Sequence, residues 1–511
     1  MRLFPMNLGQ ARLRLVQGGA ALATAALIAG CGSTYRPVVT PITPSGPPAQ
    51  PGSYAIVVSA PSTTTPGIAT VIDYSGDSVL AIAPIGVGPV TFTIDEVGGS
   101  GYTINSDGTL SNFPLTSNLQ AKSVTYTTLP STAVPVNLYS PSAGLYAADI
   151  TGNVVDAFTG FPQTFKLAIP VANTPVMVVG SGLVTQREFA ISQGNSLGGT
   201  VSNPLACNNS PTTATAGEAD GIEISTDTVS SQIPLGKCPV FGVESPDFKR
   251  LFIMNRGDDT ITVINAQDNT LDNQCPPPTG CVNQSGQTYF THPQLPLSLS
   301  AVSATGITPP NGTAGMIATA GPVYAEYNAA TAQLVIADYD GGTISVIDVS
   351  EDEYGNDSQT FGTTYTIPVG HNPASVTVLA DGSRAYTANQ TDQTVTVVTL
   401  GSHTVEKTLP ITGHPRTVVS TQNSQYGKVY VESPDSPYLT ILRTDLDIVD
   451  TAVLVQGNIV DVRVTTQTAT SGNSNTVSRT PGYGQPCYLP PSLEPAPTGT
   501  ETALQVCRML P

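Results

Sequence analysis

A chain of 511 residues with 19 basic and 37 acidic side chains carries a formal net charge of -18. That balance excludes the basic patches nucleic acid requires and disfavours anionic headgroups. Charged residues are only 11% of the chain, so solubility rests on neutral polar side chains, and the lack of tryptophan removes the best platform for stacking sugars or quaternary ammonium groups.

Arg2, Arg12 and Arg14 precede an apolar stretch from Leu15 to Gly30 that is short for a membrane span and reads as a removed signal. Ile28-Ala29-Gly30-Cys31 matches a bacterial lipobox, so residues 1–30 are expected to be a lipoprotein signal peptide and Cys31 the lipidated residue. A plain secretory signal with an incidental Cys31 is the alternative. Gly32 follows Cys31 where inner-membrane retention would call for aspartate, which points to the outer membrane, facing the periplasm or the cell surface. Residues 31–52 then form a proline-rich tether, and an extended tether at about 3.1 Å per residue reaches on the order of 60 Å.

From residue 53 to 466 one pattern returns. A proline opens an alternating apolar run, then come a turn, a second strand, a polar turn and a third strand. The openings are Pro89, Pro135, Pro175, Pro239, Pro322, Pro373 and Pro415, with Ile459 in the last copy, at gaps of 46, 40, 64, 83, 51, 42 and 44 residues. Four short strands in a period near 40 to 50 predict an all-β propeller, since helical repeats would show a 3.6-residue periodicity instead. Ser53–Val58, Ala69–Asp73 and Val79–Ile82 align with second, third and fourth strands and lack a first, while Ile459–Val464 is a first strand with nothing after it. The two ends therefore predict one closing blade shared between the termini. The count is eight four-stranded blades, with seven as the alternative because the Pro175 unit is interrupted.

Second strands Tyr386-Thr387-Ala388-Asn389, Tyr102-Thr103-Ile104-Asn105, Phe252-Ile253-Met254-Asn255 and Tyr430-Val431-Glu432-Ser433 look like degenerate Tyr-Val-Thr-Asn tetrapeptides. The turns Asp258-Asp259-Thr260 and Asp392-Gln393-Thr394 fit the same pattern. On these residues the chain resembles the YVTN β-propeller repeat family. The resemblance implies a bacterial or archaeal surface or periplasmic protein, usually of seven blades and with a looser likeness to lactonase propellers, and it implies no catalytic set.

Chemistry is sparse along the chain. Gly194-Asn195-Ser196-Leu197-Gly198 satisfies the hydrolase elbow pattern, but G-T-V-S-N-P follows where a helix is required. Asp338-Tyr339-Asp340-Gly341 resembles the start of a calcium loop without its downstream glutamate. His371 and His414 each follow glycine just before a first strand, and Arg416 and Lys237 occupy the same kind of loop. With Asp258, Asp259, Asp338, Asp340 and Asp392 they are expected to share one rim. The candidate binding residues are His371, His414, Arg416, Asp340 and Asp392, weighed against the ordinary role of Asp and His in tight turns. No catalytic residue, resident cofactor or metal is assigned.

Six cysteines remain after Cys31, an even number that favours disulfides in an exported chain. Cys207 and Cys238 fall in loops of one propeller face and are expected to pair. Cys275 with Cys281, and Cys487 with Cys507 in the irregular tail 467–511, follow as local pairs. Extra residues around 192 to 219 and 293 to 320 project from the His and Asp rim, where long loops usually carry recognition. The reading leans away from an enzyme. It favours a lipid-anchored envelope scaffold that binds a protein or small-molecule partner, with a metal-dependent lactonase-like hydrolase or a structural envelope component as alternatives.

Overall fold

A computed structural model describes residues 54–95, 99–141, 144–181, 187–194, 215–297 and 320–465. They form eight antiparallel blades, which settles the count against seven. Blade 1 is assembled from both ends of the chain in the order Asn458–Val464, Tyr54–Ala60, Pro66–Asp73, Val79–Val87. Blades 2 to 8 span 89–128, 135–170, 175–237, 239–296, 322–368, 373–410 and 417–454. Each innermost strand packs on the next, and Asn458–Val464 lies between those of blades 8 and 2, closing the ring. Tyr54 and Thr465 clasp the seam: the Tyr54 N–H donates to Thr465 Oγ1 (2.8 Å) and the Thr465 N–H to Tyr54 O (2.9 Å).

The second strands are buried almost throughout, because both faces of every blade are covered by neighbours. A polar residue nonetheless stands at, or one residue from, the end of the second strand at the equivalent place in all eight blades: Ser59, Asn105, Asp149, Ser192, Asn255, Asp338, Asn389 and Ser433, each at most 3% exposed. Three of them show why. Asn389 Nδ2 donates to Thr394 Oγ1 (3.1 Å) and Thr396 Oγ1 (2.8 Å), and Asn255 and Asn105 repeat this with Thr260 and Thr262 and with Thr109 and Ser111. The amide thus ties the end of one strand to the start of the next, satisfying groups that would be costly to bury unpaired. Glycine precedes this clamp in space. A Cβ on Gly86, Gly236 or Gly370 would fall within 2.8 Å of the Asn105, Asn255 or Asn389 side chain.

Tyrosines in the second strands do the corresponding work between blades. Tyr146 of blade 3 donates to Asp227 Oδ1 of blade 4 (2.8 Å), and Tyr386 of blade 7 donates to Asp447 of blade 8. Asp227 and Asp447 also pair with Lys166 and Arg384. Both aspartates sit at hairpin tips with φ of 51°, a left-handed conformation that Asp tolerates better than most residues.

One blade departs from the pattern. In blade 5 the outermost strand is split into Thr270–Leu271 and Gln294–Pro296, both paired to Thr260–Asn265. The residues between carry the hairpin Cys281–Val282 with Thr288–Tyr289 and the disulfide Cys275–Cys281 expected from the sequence. The long gap between Pro239 and Pro322 is therefore two additions, this excursion and residues 298–319. Cys238 is also disulfide-bonded, while its expected partner Cys207, and Cys487 with Cys507, lie outside the described residues.

Candidate functional site

Innermost strands start, and second strands end, on one rim, which we call the entry rim. Residues 195–214 and 298–319 leave and rejoin the fold there. The Gly194 N–H donates to Asn173 O beside Pro175, and the Leu297 N–H to Asp259 O in a second-to-third-strand turn. Both chain ends leave from the far rim, where Tyr54 begins its strand and Val464 ends the last one.

At the entry rim, several of the linkers are held by an aspartate of the blade they enter. Asp107, Asp258, Asp392 and Asp435 accept the backbone N–H of Val87, Lys237, His371 and His414 at 2.8 to 3.0 Å. In blades 7 and 8 the imidazoles add a second bond to the same carboxylates, His371 Nδ1 to Asp392 Oδ1 and His414 Nδ1 to Asp435 Oδ2, both 2.7 Å. Gln393 Nε2 lies 3.2 Å from His414 Nε2, so a neutral ring protonated at Nδ1 satisfies both neighbours of His414.

Between blades 5 and 6 the rim is acidic and closed. Arg256, 2% exposed, grips Asp340 with Nε to Oδ2 (3.0 Å) and Nη2 to Oδ1 (2.9 Å). The guanidinium also lies 5.5 Å from the centroid of the Tyr339 ring. Asp259 accepts the Gly321 N–H (2.8 Å). Gly321 has φ of 60°, and a Cβ there would sit 1.9 Å from the Asp340 carboxylate, so only glycine lets the linker pass. Burial, opposed by that N–H and reinforced by Asp340 and Asp258, raises the Asp259 carboxyl to about 6. Asp338 is buried and accepts Thr343 Oγ1 (2.9 Å) and Ser345 Oγ (2.6 Å), in the manner of the asparagine clamps. Desolvation lifts it to about 7. The calcium-loop reading of Asp338 to Gly341 is therefore replaced: one carboxylate braces a strand and the other neutralises an arginine.

The central channel is filled by side chains. The residues two places after each blade opening, Thr91, Asn137, Met177, Phe241, Tyr324, Ser375, Thr417 and Asp461, are all at most 4% exposed. Three of these side chains stitch blade to blade: Asn137 Oδ1 accepts the Val178 N–H (3.0 Å), Met177 Sδ that of Gly242 (3.3 Å) and Ser375 Oγ that of Val418 (3.0 Å). Arg463, from the closing strand, holds Asp461 Oδ2 with Nε (3.0 Å) and Nη2 (2.7 Å) and reaches Tyr324 of blade 6. Blades 1 and 6 are not neighbours, so this contact crosses the hole. Arg416 turns inward as well. It donates to Val460 O and lies 3.6 Å from Glu432, whose carboxyl burial raises to about 7 against the pull of Arg416.

Of the five candidate binding residues, the structure brings together only His371 and Asp392. His414 pairs with Asp435, Asp340 with Arg256, and Arg416 faces Glu432 and the closing strand. Among the described residues no three His, Cys, Asp or Glu side chains converge as a metal set. Ser196 lies outside the described residues. Sequence reasoning missed Asp435, Arg256, Arg463 and Tyr324. Asp435 had a signal, since it stands 21 residues after His414 just as Asp392 stands 21 after His371.

No protein-family model matches the chain, and no curated protein does. Solved structures do. Apo AztD from Citrobacter koseri matches at 11% identity with a TM-score of 0.51, over 81% of this chain and 97% of that one. A second structure of Citrobacter koseri AztD gives 10% identity, the same TM-score and the same coverage. A 6-phosphogluconolactonase assignment from Bacteroides fragilis matches at 13% identity and a TM-score of 0.47, over 82% and 99% of the two chains. With the blades described above, the two AztD likenesses place the chain in the class of β-propellers, and at such identities they show the fold alone.

Proposed function

We propose that the chain is an exported, lipid-anchored propeller that binds a partner through the loops of its entry rim, as a divergent relative of the YVTN-type propellers. The observation that carries this reading is the division of labour between rims: both chain ends leave the far rim, and the two long additions 195–214 and 298–319 leave the opposite one. A tether beginning at Cys31 then holds one face towards lipid and leaves the other for recognition. The degenerate tetrapeptides support the family reading, because their tyrosines and asparagines carry the inter-blade and strand-to-strand bonds. Binding is favoured over metal-dependent hydrolysis because His371, His414, Asp340 and Asp392 already serve as internal partners at the rim.

The test replaces 195–214 and 298–319 by short Gly-Ser linkers in the full chain. Pull-downs from detergent-solubilised envelope should lose the partner held by the intact chain, with unfolding unchanged. Retention of every partner by the doubly shortened chain refutes the proposal.

A further inference from the structure

Comparison of the eight outermost strands singles out blade 8. Six of the eight carry proline at one equivalent position, opposite the start of the third strand: Pro84, Pro170, Pro234, Pro296, Pro368 and Pro410. The residue after it points its N–H inward, as the Val171, Leu297, Val369 and Ile411 bonds to the third-strand turn show. Successive N–H groups of such a ladder alternate in direction, so the proline position is the one whose N–H would face away from the blade. Proline there deletes a free donor from an exposed edge and guards it against unwanted pairing. Blade 2 has Thr128 instead, in a strand of four residues whose Tyr126 donates to Pro84 O of blade 1.

Blade 8 has neither protection. Leu454 stands opposite Tyr438 at the proline position, with the Val455 N–H directed inward to Pro437 O (2.9 Å). The strand Ile448–Leu454 is seven residues long and exposes Ile448, Val449 and Leu454, the last by 61%, with Leu446 exposed in the turn before it. Asp450 is its one charge. The adjoining blade 1 exposes Val79, Leu80 and Ile82.

We propose that this edge is the docking site of the chain's own C-terminal segment Ala503–Leu510, which adds a fifth strand to blade 8. The described fold ends at Thr465 in blade 1, the ring neighbour of blade 8, and 46 residues follow. Six prolines and four glycines lie among residues 466–501, whereas 502–510 reads T-A-L-Q-V-C-R-M-L with neither. Residues 473–480 also lack both but are almost wholly polar, which leaves 502–510 as the apolar stretch suited to a ladder on an apolar edge. Its single charge, Arg508, is opposite in sign to Asp450. Reach is no obstacle, since the intervening residues extend to roughly 100 Å while a blade is about 20 Å wide. A second copy is a poorer occupant. Antiparallel pairing of two Ile448–Leu454 strands about their midpoint makes the two Asp450 carboxylates diagonal neighbours on one face, in molecules each carrying a net charge of -18. A free peptide has to compete with a tethered segment at millimolar effective concentration.

Hydrogen exchange of the full chain, compared with a chain ending at Thr500, tests this. The Ala452 and Leu454 amides should exchange at least 10-fold more slowly in the full chain, at every protein concentration. Leu454→Pro, a residue the other blades accept at this place, should release 504–510 to rapid exchange while the propeller unfolds as before. Val506→Pro should do the same from the tail side, and it decides the matter if Leu454→Pro fails to fold. Equal exchange with and without the segment overturns the proposal. So does protection that grows with concentration, which assigns the edge to a second copy, or protection that appears only with an added partner.

Discussion

Blades 7 and 3 solve the same joint with different chemistry. In blade 7 the amide of Asn389 bonds Thr394 and Thr396, all neutral groups indifferent to pH. In blade 3 the corresponding places are held by Asp149 and Asp156. Asp149 Oδ1 accepts the N–H groups of Val134 and Thr151 and the Thr151 hydroxyl at 2.8 to 3.0 Å. Asp156 is buried beside it with one oxygen lacking a hydrogen-bond partner among the described residues. Burial first, and the Asp149 charge second, push Asp156 up to about 7. A joint built from an amide is closed at any pH, whereas one built from two carboxyls closes fully only when one of them is protonated.

That difference sets the sign of the pH dependence. A carboxyl whose folded pKa lies above its unfolded value contributes stability that is complete below about pH 4 and is lost as pH rises through the folded value. Asp156, Asp338 and Glu432 stand at about 7, and Asp220, Asp259 and Asp272 at about 6. The propeller is therefore expected to lose stability between pH 5 and pH 8. The largest single effect should come from importing the acidic joint into blade 7. Asn389→Asp should cost about 1 kcal/mol at pH 5, where the acid is protonated, and on the order of 3 kcal/mol at pH 8 in guanidinium unfolding. The converse change, Asp156→Asn, should stabilise by on the order of 1–3 kcal/mol at pH 8 and little at pH 5, flattening the profile. An unaltered profile in both variants would break the contrast between the blades. Smallest is His371→Ala at the entry rim, where a half-exposed imidazole–carboxylate hydrogen bond is worth under about 1 kcal/mol in the same assay.

The ring was legible in the sequence because its signals are local and periodic. Proline openings and the tyrosines and asparagines of the second strands recur at blade spacing, and the two incomplete ends complement each other in one blade. The contacts that close the channel and the acidic rim have no such rhythm. Arg463 meets Tyr324 across the hole from 139 residues away, and Arg256 meets Asp340 from 84. Glu432 stands one residue before the asparagine place, where the tetrapeptide has threonine, so nothing in the repeat marks it as a buried partner for Arg416. The split outer strand of blade 5 escaped notice for a related reason, since pieces of two and three residues leave no alternation to read.

The innermost strand of blade 1 is Asn458–Val464, almost the last part of the described fold to be synthesised, whereas its neighbour Tyr54–Ala60 is the first. Until residue 464 arrives, a growing chain is an open arc whose earliest strand offers a bare backbone to whatever comes near. A product that stops before Asn458 would stay in that condition permanently, so the closing strand acts as the proofreader of the whole ring.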